Sequence, residues 1–118
     1  MRPCTGQGAF DTDEDAAAAG ALLGALLLSA NAPALTQLDV CSCALRDAGL
    51  RPLFAALARN SHLRELRCAF NGLSKACARD ALLPAVRANG SLRTLKLELR
   101  WPAARLAEEL VRARPREA

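Results

Sequence analysis

Apolar side chains recur along this chain at two local intervals, two residues and four residues. The whole pattern returns after 28 or 29. Three segments align on it: LTQLDVCSCAL from Leu35, LRELRCAFNGL from Leu63 and LRTLKLELRW from Leu92. Apolar residues stand at the first, fourth and sixth positions of each: Leu35, Leu38 and Val40; Leu63, Leu66 and Cys68; Leu92, Leu95 and Leu97. The fourth and sixth alternate with polar neighbours, the period-2 signature of a short strand with one buried face. The stretches between strands read as helices. Counting back from Asn60 and Asn89, an aliphatic stands three and seven residues earlier, Leu57 and Leu53 in one case and Val86 and Leu82 in the other. A spacing of four puts each pair on one helix face. Leu106 and Leu110 repeat the pair after the last strand, and Leu28 takes the corresponding place before the first. The joints ARNSHL and RANGSL turn the chain back, with Asn and Gly supplying turn geometry. The predicted order is helix (13–30), strand, helix, strand, helix, strand, helix (103–113).

Strand–helix units repeated in one direction form a parallel sheet with helices on one side. The fold class expected is therefore α/β. The pattern LxxLxLxx(N/C)xL, followed by a helix and a total length of 28 or 29, resembles the ribonuclease-inhibitor-like leucine-rich repeats. Such repeats also occur in NOD-like receptors and Ran GTPase-activating proteins. The resemblance covers residues 13 to 112, nearly the whole chain. It implies a short solenoid, a partial horseshoe, with three parallel strands lining the concave face and about four helices on the convex face. The domain then spans residues 13–113, with repeats starting at 35, 63 and 92 and a capping helix at 103–113. Residues 1–12 and 114–118 are expected to be disordered.

The resemblance also implies where function sits. The third, fifth and seventh repeat positions face the concave side: Gln37, Asp39 and Cys41; Glu65, Arg67 and Ala69; Thr94, Lys96 and Glu98. Adjacent strands bring Asp39 beside Arg67, and Arg67 beside Lys96. Such a strip either neutralises itself or offers a mixed-charge contact surface to a partner. Phe70 and Trp101 are the nearby aromatics able to anchor a contact or to pack under a loop. In the family an Asn or Cys at the ninth position points inward and bonds neighbouring loop backbones. Cys43 and Asn71 match that ladder. Arg100 does not, because an always-charged side chain cannot enter a buried row cheaply, and the repeat is expected to stop there. Family relatives favour a protein-binding scaffold. Regulation of a small GTPase, in the manner of a GTPase-activating protein, is the alternative, though no residue can be assigned to it here. Two full repeats leave two open sheet edges, so self-association is a second expectation beside an unidentified protein partner.

Composition narrows the choice further. The hydrophobic fraction is 52 %, but aromatics are only 3 %, so packing must rely on regular aliphatic layers. The net charge is +4, and apart from Arg2 the basic residues are scattered between Arg46 and Arg116. Without stacking aromatics such a charge argues against nucleic-acid binding, which stays a minor alternative. Of the prolines, Pro52 reads as near a helix start. Pro84 falls inside a helical stretch and should bend it or restart it from an N-cap at Asp80. The apolar run 16–28 is too short to span a bilayer. It is preceded by Asp11, Asp13, Glu14 and Asp15, where a secretory signal needs positive charge. A core helix with acids at its positive end is expected instead, in a cytoplasmic protein. Five cysteines, Cys4, Cys41, Cys43, Cys68 and Cys77, form no C-x-x-C pair, and His62 stands alone. Small thiols in a reducing compartment are expected, and neither metal nor cofactor. There is no phosphate-cradling loop or nucleophile elbow, so no enzyme is expected.

Overall fold

A computed structural model describes residues 12–29, 35–98 and 101–114. Helix α1 (Asp13–Leu28) is followed by strand β1 (Gln37–Asp39), helix α2 (Arg46–Arg59) and strand β2 (Glu65–Arg67). Next come α3 (Lys75–Cys77), a π-helical turn (Ala78–Leu82) and α4 (Leu83–Ala88), which together make one irregular helical segment. Strand β3 (Thr94–Lys96) and helix α5 (Pro102–Arg112) complete the order. The strands form one parallel sheet, β1-β2-β3, with Leu38, Leu66 and Leu95 side by side. The protein is thus a mixed α/β structure around a three-stranded parallel sheet.

The period-2 pattern decides which sheet face is covered. Leu38, Val40, Leu66, Cys68, Leu95 and Leu97 are buried, while the residues between them are partly or fully exposed. Leu53, Phe54 and Leu57 of α2 and Leu82 and Val86 of the next helical segment join the same core. Burying one such leucine is worth about 2 kcal/mol. The aliphatic columns therefore supply most of the drive for stacking one strand–helix unit on the next.

The two end helices depart from the expected phase. The spacing predicts Leu28 in the core, but Leu28 is 42 % exposed and Leu23 and Leu27 are buried instead. Likewise Leu106 is 38 % exposed, and Ala104, Ala107 and Val111 carry the inner face of α5. A spacing of four fits either of two adjacent phases in a leucine-rich helix, and the turn fixes the choice. Leu27→Ala is therefore expected to destabilise by about 2–4 kcal/mol, and Leu28→Ala by less than about 0.5 kcal/mol. Urea denaturation of the two variants would show this, and equal costs would place α1 in the wrong rotation.

The prolines are accommodated differently from the expectation. Helix α2 begins at Arg46, so Pro52 lies inside it rather than at its start. The other helical segment starts at Lys75, capped by Ser74, whose Oγ accepts from the N–H of Cys77 at 3.0 Å. Asp80 is therefore not its N-cap. It lies in the π-helical turn that leads directly into Pro84. Proline has no N–H to give and its ring crowds the preceding turn, and a wider turn relieves both. The side chain of Asp47, in the first turn of α2, accepts from Ser74 N and Oγ and ties the two helix starts together.

Buried asparagines stack the turns that lead into the strands. Asn60 Nδ2 donates to Leu27 O at 2.7 Å, while its Oδ1 accepts from the N–H groups of His62 and Leu63. One unit later Asn89 Nδ2 donates to Leu57 O and Asn60 O, both at 2.9 Å, and its Oδ1 accepts from Ser91 and Leu92. Ser91 Oγ donates to Leu63 O at 2.8 Å. The next set of carbonyls is taken by Arg114, a residue assigned above to a disordered tail. Its guanidinium donates to Val86 O, Asn89 O and Leu92 O. One arginine thereby does for the last turn what Asn89 and Ser91 do for the turn before. Burial, and then the nearby charge of Arg93, pull its pKa down.

Candidate functional site

The strands place six of the nine strip residues in two columns, and Cys41, Ala69 and Glu98 follow the strand ends. Gln37 aligns with Glu65 and Thr94, and Asp39 with Arg67 and Lys96. Gln37, Arg67 and Lys96 are exposed, and Asp39, Cys41, Glu65, Ala69, Thr94 and Glu98 are half-buried. Their electrostatics are set within strands as well as between them. Arg67 Nε donates to Glu65 Oε2 at 2.9 Å. That hydrogen bond, ahead of the Coulombic pull of Glu65 and Asp39, raises the Arg67 pKa. Asp39 Oδ1 accepts from the N–H of Cys41 at 3.0 Å and so shapes the exit from β1. The outer face carries both signs of charge, with Arg67 and Lys96 adjacent.

The loops leaving β1 and β2 share one conformation. Ser42 and Phe70 both lie in the left-handed region, with φ of 58° and 60°, and two residues later Ala44 and Gly72 repeat it at 56° and 75°. For non-glycine residues this is strained backbone, held by what surrounds it. Asn71 supplies that hold. It is 1 % exposed. Its Oδ1 accepts from the N–H of Cys43 at 3.0 Å and of Leu45 at 3.2 Å. Its Nδ2 donates to Val40 O at 2.8 Å, Cys68 O at 3.1 Å and Ala69 O at 3.4 Å. One amide thus locks the exits of two neighbouring strands to each other.

Of the two aromatics, Phe70 is 68 % exposed beside the strip exit. Trp101 is half-buried and donates its Nε1–H to Leu73 O at 2.8 Å, so it packs at the start of α5. Arg100 lies outside the described residues, as does Cys4. Cys41, Cys68 and Cys77 are free thiols. Burial pushes Cys68 far up and Cys77 up to about 12, so both stay protonated and unreactive. Cys43 is disulfide-bonded, which corrects the reading of it as a thiol.

At the other end of the strands, Arg59, Arg64 and Arg93 line an open cleft with Ser61 and Ser91. In the sequence these arginines stand far apart, as scattered charge. The cleft lining contains no aromatic ring on which a base could stack. Among the described residues no group of His, Cys, Asp and Glu could hold a metal ion. No helix among them is long and apolar enough to cross a membrane. No protein-family model, curated protein or solved structure matches this chain.

Proposed function

We propose that the chain is a non-catalytic protein-binding scaffold, built as a short leucine-rich-repeat solenoid of the ribonuclease-inhibitor type. Its partner docks on the strip formed by Gln37, Asp39, Cys41, Glu65, Arg67, Ala69, Thr94, Lys96 and Glu98. The observation that carries the reading is the alignment of half-buried Asp39 with exposed Arg67 and Lys96 in one column across three strands. Short strands locked by Asn71 present these charges at fixed spacing, which lowers the entropy cost of binding. Fixed charges choose partners and speed encounter more than they add raw affinity. Phe70, exposed at the end of the strip, offers an apolar anchor.

The test is affinity capture with wild type beside the triple variant Asp39→Lys, Arg67→Glu, Lys96→Glu. Proteins held by wild type should be lost or weakened by at least about tenfold in the variant. Partners retained equally by both would move docking away from the strip.

A further inference from the structure

Helix α5 carries a carboxylate on its apolar face. Ala104, Ala107, Glu108 and Val111 are its buried residues, and their spacing puts them on one side of the helix. Glu108 is 8 % exposed. Its Oε1 accepts from Arg112 Nη2 at 3.4 Å, a long contact reaching in from an exposed guanidinium. Its Oε2 is buried with no hydrogen-bond donor among the described residues. A buried carboxylate oxygen without a donor is costly, and an alanine or leucine here would complete the stripe without that cost. What such a group can bind is therefore the question it raises.

The space beside it suggests an answer. A cavity of about 120 Å³ lies between β3 and α5, bordered by Thr94, Leu95 and Lys96 on one side and by Glu108, Val111 and Arg112 on the other. That is room for about four waters, or for one ligand of about five heavy atoms. Leu95 and Val111 are buried and give it apolar walls. Lys96 is exposed, so the carboxylate lies at the floor and the ammonium at the rim. Arg67, the neighbour of Lys96 in the sheet, has the same sign, so negative charge at this rim is welcome. Arg93 also borders the cavity, but its Nη1 is held by the carbonyls of Gly90 and Leu92, and no ligand contact is assigned to it. A bare cation drawn to Glu108 would meet Lys96 and Arg112, and a bare anion drawn to Lys96 would meet Glu108. A molecule with both charges a few bonds apart satisfies the two groups together.

We propose that this cavity binds a small free α-amino acid, of the size of glycine or alanine. Its ammonium donates to Glu108 Oε2, its carboxylate accepts from Lys96 Nζ, and its carbon atoms lie against Leu95 and Val111. The weak contact with Arg112 yields as the Glu108 side chain turns Oε2 toward the ligand. Burial strengthens the charge-assisted bond made there. The site belongs to the joint between β3 and α5 and does not depend on a protein docking along the strip.

Methyl-detected nuclear magnetic resonance of the full chain tests it, with glycine, acetate and methylammonium as titrants. Glycine should shift the Leu95 and Val111 methyl signals saturably, in the millimolar range that so few contacts allow. Acetate and methylammonium each carry one of the two charges and should bind at least about tenfold more weakly. Glu108→Gln keeps the shape of the side chain, removes its charge and should weaken glycine by about tenfold or more. Lys96→Gln should do the same from an exposed position that the fold does not rely on. Unmoved Leu38 and Leu66 methyl signals show that the variants are folded. Shifts that fail to saturate by about 100 mM glycine would leave water as the occupant and overturn the proposal. Equal binding of glycine by wild type and either folded variant, or acetate or methylammonium binding as tightly as glycine, would overturn it too. The titration contains no protein partner, so its failure and the failure of partner capture at the strip are separate results.

Discussion

Asn71→Ala is expected to lower stability by about 3–4 kcal/mol, because its amide leaves five backbone groups in need of partners at once. For a domain of this size that is a third or more of the total. The loss is larger than for an ordinary polar truncation because the site is dry, with Asn71 only 1 % exposed. It should also reach beyond the second loop. Cys43 and Leu45 lie in the loop of the preceding unit, and Phe70 and Gly72 rely on the same anchor for their left-handed backbone. Guanidinium denaturation would measure it. A cost below about 1 kcal/mol would mean that the loops hold their shape without the amide.

Gly20→Ala should cost about 3 kcal/mol or more, although alanine favours a helix over glycine by about 1 kcal/mol. A Cβ at Gly20 would be driven into the backbone carbonyl of Gly49, and one at Gly49 would stand 2.7 Å from Ala16 O. The obstacles are main chain on both sides, so no change of side-chain rotamer relieves them. Helices α1 and α2 would have to separate, opening the core around Leu23 and Leu27. Gly90 provides the contrast. A Cβ there meets nothing within 4 Å, so Gly90→Ala should change stability by less than about 0.5 kcal/mol. Thermal melts of both variants check the pair. A Gly20→Ala protein as stable as wild type would rule out the close crossing of α1 and α2.

The strands were legible in the sequence because a strand is a local pattern. Leu38, Leu66 and Leu95 each stand in a period-2 run, and spacings of 28 and 29 bring them into one register. The strip residues came with the resemblance, which assigns the third, fifth and seventh repeat positions to the concave side. Helix rotation was less legible. In a run such as Leu26, Leu27 and Leu28, a spacing of four is satisfied by adjacent faces, and only the turn at Asn60, which takes the carbonyl of Leu27, selects one. The stacked turns were missed for a related reason. Asn60 and Asn89 were read as turn formers, yet much of their bonding runs to the preceding unit and is not local. Arg114 falls 25 residues after Asn89, so it escapes an alignment at 28 or 29. A clue was nevertheless present: it follows Val111 by three, as Asn89 follows Val86 and Asn60 follows Leu57. The π-helical turn before Pro84 had no signal beyond the proline itself.

The central claim is that three repeated strands lie parallel with their leucines in one row, fixed by a buried amide between units. Nuclear magnetic resonance of the isotopically labelled chain tests this most directly. Methyl contacts should run from Leu38 to Leu66 and from Leu66 to Leu95, and the amide protons of Cys43 and Leu45 should exchange slowly with solvent. Contacts that pair these leucines in an antiparallel or shifted register, or free exchange at Cys43 and Leu45, would contradict the fold and the binding surface built on it.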